Sequence, residues 1–80
     1  MQLHNTEEIQ AFKEAISKCK GEVWLESKWG DRYNLKSILS QYVALGALLN
    51  EQGDELELYC QFDNDERYFY RFFKDHPDTL

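Results

Sequence analysis

Apolar residues recur along this chain in two alternating rhythms, one of helical spacing and one of strict alternation. Ile9, Phe12, Ile16 and Cys19 follow the helical rhythm, with Ala11 and Ala15 beside them, and predict an amphipathic helix of about four turns. Asn5 and Glu8 stand in capping-box spacing at its start, and Glu7 and Glu8 suit the positive end of the helix dipole. Lys18 and Lys20 fall near the negative end, and Gly21 supplies a stop. Ahead of the helix, Met1 to Leu3 reads as a very short first strand. Glu22 to Ser27 then alternates, with Val23 and Leu25 on one face and Glu22, Trp24 and Glu26 on the other, as in a half-buried strand. Trp29-Gly30-Asp31 makes a turn, and Arg32 to Leu35 returns as a shorter strand with Tyr33 and Leu35 inward.

From Ser37 the pattern becomes helical again. Ile38, Leu39, Tyr42, Val43 and Leu45 line a broad apolar side, and Gly46 stands where it can bend or end the helix. Asn50 to Asp54 reads as a loop. Glu55 to Phe62 alternates, setting Leu56, Leu58, Cys60 and Phe62 against Glu55, Glu57, Tyr59 and Gln61. Asp63 and Glu66 share capping-box spacing, and Tyr68 to Phe73 begins a last helix that buries Phe69, Phe72 and Phe73. Pro77 ends it, leaving residues 76–80 as a loose tail. The element order is therefore β-α-β-β-α-β-α. Each strand has one apolar face and each helix one apolar side, so the economical solution is an α+β two-layer sandwich. Helices cover one face of an antiparallel sheet, and the other face stays open.

Composition narrows the function. Eighty residues make one domain, 1–80, whose thin core claims most of the large hydrophobic side chains. Nine basic residues against fifteen acidic ones give a net charge of −6. A surface of that sign repels phosphate backbones and anionic lipid, which argues against nucleic acid and membrane partners. No apolar stretch approaches the roughly 20 residues that cross a bilayer, and no signal-peptide pattern opens the chain, so a cytoplasmic location is expected. Cys19 and Cys60 fit that compartment as reduced, half-buried thiols. No histidine accompanies them at metal-ligand spacing, and His4 and His76 lie near opposite ends of the chain. Neither an enzyme's catalytic constellation nor a cofactor or metal site is expected.

One hexamer, Asn34-Leu35-Lys36-Ser37-Ile38-Leu39, carries more information than the rest. Together with Val23 to Ser27 and the Gly30 turn before it, it resembles the histidine-containing phosphocarrier family, HPr, of the bacterial sugar phosphotransferase system. Leu45-Gly46 and Gly53-Asp54-Glu55-Leu56-Glu57-Leu58 echo further family positions, although the segment between them is several residues longer here. The likeness covers about three-quarters of the chain. It implies the HPr-like sandwich, with a four-stranded sheet in the order 1-4-2-3 and three helices on one side.

The family uses two sites. One is a phosphate-accepting histidine in a Gly-x-His-x-Arg-Pro context at the start of the first helix. Here only His4 lies near that place, followed by Asn5, Thr6 and Glu7, with no arginine or proline. Glu7 and Glu8 bring negative charge where a phosphoryl group would arrive. His4 is thus a weak candidate phosphoacceptor beside the plainer reading of a surface histidine. The other site is a serine that a dedicated kinase phosphorylates, and Ser37 matches it residue by residue. Serine at a helix start is equally an ordinary N-cap, and the two roles are compatible.

In the family the first two helices form the docking surface. That implies partner contacts at Lys36, Ile38, Leu39 and Tyr42, while the apolar pattern alone assigns most of these apolar residues to the core, a reading favoured for Tyr42 and Val43, with Ile38 the better contact candidate. Trp24 and Tyr59 share the open face of the sheet. Exposed rings there resemble base-stacking platforms, but Glu22, Glu26, Glu55 and Glu57 around them favour a protein partner or a homodimer of two open sheets over RNA. Two expectations result. The chain is a non-transferring, regulatory HPr-like protein of the phosphotransferase system, meeting a serine kinase or a transcriptional regulator in carbon catabolite control. Alternatively it is a divergent binding or homodimerising module without phosphorylation.

Overall fold

Asn5 opens the first helix, α1 (Thr6–Lys18), through its side-chain oxygen, which accepts the Glu8 N–H at 2.9 Å. The Glu8 carboxylate reaches back one residue further than a capping box requires and accepts the His4 N–H at 2.7 Å. Phe12, Ala15 and Ile16 carry the buried side of the helix. A computed structural model describes residues 1–50, 53 and 55–80 of the chain. The remaining elements in chain order are β1 (Val23–Ser27), β2 (Arg32–Asn34), α2 (Ile38–Leu48), β3 (Leu56–Cys60) and α3 (Glu66–Asp75).

The β1–β2 turn is tied by Ser27, whose hydroxyl accepts the N–H groups of Trp29 and Asp31 at 3.2 and 3.1 Å. Gly30 supplies the φ of 91° that the turn requires. The sheet has three strands in the order β2-β1-β3, antiparallel throughout. Leu25 stands opposite both Tyr33 and Leu58. That register sends Val23, Leu25, Leu56 and Leu58 toward the helices and Trp24, Glu26, Glu57 and Tyr59 to the other face.

Between the layers, Phe12 packs against Phe69 and Phe72 at ring-centroid separations of 5.7 and 5.5 Å. Leu3, Leu25, Leu35, Ala44 and Leu48 complete the core with Val23. Each of the larger side chains gains about 1.5–3 kcal/mol from burial, which is substantial for a domain this small.

Five expectations change. The four-stranded sheet becomes three-stranded, because Met1 to Leu3 does not join it. Instead the Gln2 N–H donates to the Thr79 carbonyl at 2.8 Å, the Leu3 N–H donates to Leu48 at 2.7 Å, and Leu3 drops into the core. The tail is not loose. Pro77–Thr79 forms a 3-10 turn with Thr79 buried against that same N-terminal segment. Gly46 does not end α2, which runs on to Leu48. The Asp63–Glu66 capping box is absent: a 3-10 turn, Asp63–Asp65, leads into α3 without a side-chain cap. Finally, Phe62 lies beyond the end of β3 and is exposed. The loop expected at Asn50 to Asp54 falls largely on residues 51, 52 and 54, outside the described residues. No helix among the described residues is long and apolar enough to cross a membrane.

Candidate functional site

The approach to α2 is held by three local bonds. Asn34 Oδ1 accepts the Lys36 N–H at 2.9 Å, and the Asn34 carbonyl accepts the Ser37 N–H at 3.2 Å. Leu35 between them is fully buried and bonds through its N–H to Val23 at 2.8 Å. The chain therefore turns sharply off the sheet with Leu35 as its anchor. The Ser37 carbonyl accepts the Gln41 N–H at 2.8 Å and starts the helix.

Ser37 occupies the N-cap position in extended backbone, but its side chain makes no cap hydrogen bond. The serine is exposed. Its hydroxyl is thus uncommitted, and it stands beside the first-turn amides of Ile38, Leu39 and Ser40, which an α-helix leaves without internal partners. No acidic side chain occupies that first turn. The positive end of the dipole is left open to an incoming negative group.

Burial along α2 corrects the expected inner face. Ala44, Leu45 and Leu48 are buried, whereas Tyr42 and Val43 are each 61% exposed. Ile38 and Leu39 are exposed at 70% and 79%, and Leu49 just beyond the helix at 45%. The helix is apolar on nearly all sides, so spacing alone could not say which side faces the core. Packing over β2 and the insertion of Leu35 decide it. The result is a continuous apolar stripe on the solvent side of α2, beginning at Ser37, with no charged side chain from Ile38 to Leu48.

The exposed Lys36 reaches back to α1. Its ammonium donates to the carbonyls of Ile16 and Cys19 at 2.9 and 2.6 Å, closing the C-terminal end of α1. A matching anchor, not apparent from spacing, is Asp65. Its buried carboxylate accepts the Gly21 and Lys20 N–H groups at 2.9 and 3.1 Å. The Gly21 amide, joined by that of Lys20, holds the Asp65 carboxyl below the usual carboxylate range against the opposing effect of burial. These two side chains lock the α1–β1 junction from opposite directions.

The remaining candidates lie apart from Ser37. His4 Nδ1 sits 3.0 Å from a Glu8 carboxylate oxygen. The Glu8 carboxylate thus places negative charge directly against the imidazole ring. Trp24 and Tyr59 do meet on the open sheet, stacked at 5.8 Å with 17° between their planes. Arg32 covers the Trp24 ring from 4.5 Å, and Tyr59 donates to Glu57 at 2.7 Å, so the patch satisfies itself. Glu57 in turn raises the phenol pKa of Tyr59.

Cys19 and Cys60 are free thiols. They adjoin, and burial raises the pKa of both, that of Cys60 to about 12. Among the described residues no cluster of side chains could hold a metal ion. No protein-family model, curated protein or solved structure matches the chain.

Proposed function

We propose that this protein is a docking module of the HPr-like kind, with the exposed side of α2 as its contact surface and Ser37 as the residue that switches it. The observation that carries this reading is the apolar stripe Ile38, Leu39, Tyr42, Val43 and Leu49 running from a serine whose hydroxyl has no cap bond. A contiguous apolar stripe rimmed by polar residues is characteristic of an interaction surface. A phosphate on Ser37 adds about −1.5 to −2 charge at the open end of the helix dipole, next to a helix that carries no charge of its own. The same stripe is then read in two states: neutral and apolar, or apolar beside a dianion. The partner has the complementary chemistry, an apolar patch bordered by a basic side chain that meets the phosphate. The serine kinase that modifies Ser37 and a regulator that reads the phosphoserine both fit that description.

His4 takes no part in transfer on this reading: the Glu8 carboxylate lies 3.0 Å from its ring, and like charge there disfavours an incoming phosphoryl group. A second reading keeps the α2 surface and omits the phosphate, since the stripe's exposure does not depend on Ser37 being modified. The test of the docking surface uses a purified bacterial HPr serine kinase as the partner, with binding followed by calorimetry. Leu39→Lys and Tyr42→Lys, both on exposed positions, are expected to abolish binding without loss of helical signal. Binding unchanged by both substitutions, or no binding by the unsubstituted protein, would sink this surface.

A further inference from the structure

β3 forms one edge of the sheet. Gln61, just past β3, donates its N–H to the Glu22 carbonyl at 2.9 Å, which fixes the direction of the backbone groups along the strand. Tyr59 and Glu57 share that parity and face β1, whereas Leu58 and Cys60 direct their N–H and C=O groups outward. Among the described residues no strand pairs with that outer side. Natural edges are usually guarded by lysine, proline or a bulge. Leu56-Glu57-Leu58-Tyr59-Cys60 has none of these, and its one charge, Glu57, points to the open face. Beside the edge runs an apolar groove between β3 and α3, lined by Leu58, Cys60, Glu66, Phe69, Tyr70 and Phe73. Tyr70 on its outer wall is 65% exposed.

We propose that a second copy of this chain fills this edge, β3 pairing antiparallel with β3 about a two-fold axis through Leu58. The strand's own sequence selects the copy and the register. Centred on Leu58, Leu58 faces Leu58 of the other copy, Leu56 faces Cys60, Glu57 faces Tyr59 and Glu55 faces Gln61. Every outward amide gains a partner, and no like charges stand opposite. A register one step toward the N-terminus, centred on Glu57, sets two carboxylates face to face, which is disfavoured. One centred on Tyr59 leaves Leu56 facing the exposed Phe62 beyond the strand end. In the Leu58 register the two sheets become one of six strands, β2-β1-β3-β3-β1-β2. The two α3 helices then lie alongside each other, so that Tyr70 and Phe73 of each copy close the other's groove. Each copy carries a charge of −6, so added salt strengthens the pair by screening the long-range repulsion. This surface is separate from α2 and does not depend on Ser37.

Sedimentation equilibrium and amide hydrogen exchange on the unmodified protein test the proposal together. The expected result is a dimer whose population rises with protein concentration and with salt. The Leu58 and Cys60 amides should slow at least about tenfold between the monomeric and dimeric regimes. Tyr59→Glu sets a carboxylate opposite Glu57 twice by symmetry and should weaken the dimer about tenfold. Adding Glu57→Lys to that variant should restore it. A monomer at all concentrations overturns the proposal. So does a dimer in which the Leu58 and Cys60 amides exchange at monomer rates, the outcome expected if the copies met through α2 or the open sheet. Should Tyr59→Glu fail to fold, the exchange measurement on the unmodified protein decides the matter alone.

Discussion

Replacing Lys36 by methionine separates a structural lysine from a contact lysine. The substitution keeps the aliphatic stem and removes the ammonium that donates to Ile16 and Cys19 at 2.9 and 2.6 Å. Hydrogen bonds to a charged group contribute about 1.5–3 kcal/mol each when their partners are left buried. Water can reach these carbonyls, because the amine end is only partly buried, so the full value for two bonds does not apply. A cation at a partly buried helix C-terminus contributes up to about 2 kcal/mol. Together these limits place the loss at about 1–2 kcal/mol, which in a domain of this size lowers Tm by roughly 5–15 °C. Urea unfolding followed by far-UV circular dichroism measures it directly. Lys36→Arg, which keeps the charge, should recover part of the loss. A Lys36→Met protein within about 0.5 kcal/mol of the original, the range of ordinary surface substitutions, would refute the assignment of Lys36 as the α1 cap.

Other residues give equally definite expectations. Ser37→Ala should change stability by less than about 0.5 kcal/mol in urea unfolding, since no side-chain cap bond is lost; the usual loss of about 1 kcal/mol would mean the hydroxyl caps α2 after all. Asp65 has a folded pKa below its unfolded value, so its contribution is present above about pH 4 and disappears as pH falls through the folded value. Urea midpoints between neutral and strongly acidic pH should fall less steeply in Asp65→Asn, and an unchanged acid limb would contradict the role given to the Gly21 and Lys20 amides. The raised thiol pKa values predict slow alkylation of Cys19 and Cys60 by iodoacetamide in the folded protein at mildly alkaline pH, and rapid alkylation in urea. Equal rates in the two states would show the thiols to be exposed. Phe12→Ala, at the centre of the aromatic cluster, should cost about 3–5 kcal/mol.

The α+β layers were legible wherever one rhythm dominated. Val23 and Leu25, and likewise Leu56 and Leu58, alternate with polar neighbours and face the core as that alternation requires. Phe12 and Ile16 follow the helical period, and Asn5 caps as its position indicates. Periodicity failed at α2 because apolar residues surround it. Val43 and Ala44 are adjacent and equally plausible inside, and only packing against the sheet separates them.

Long-range polar anchors were invisible for another reason. The bonds from Lys36 to Ile16 and from Asp65 to Gly21 join residues distant in the chain, and no local spacing announces them. Met1 to Leu3 failed as a strand because its amides found Thr79 and Leu48 instead of a sheet edge. At the candidate site, the position of Ser37 at the helix start was legible. Its unused hydroxyl was not, since serine at an N-cap ordinarily bonds to the helix it begins.

On the proposed function, Ser37 is a free hydroxyl that receives a phosphate at the head of an exposed apolar helix. This is tested most directly by incubating the protein and Ser37→Ala with HPr serine kinase and ATP, then measuring intact mass and mapping the modified peptide. A single phosphate is expected on Ser37 and none on the variant. An unmodified protein, or equal labelling of both, would contradict it.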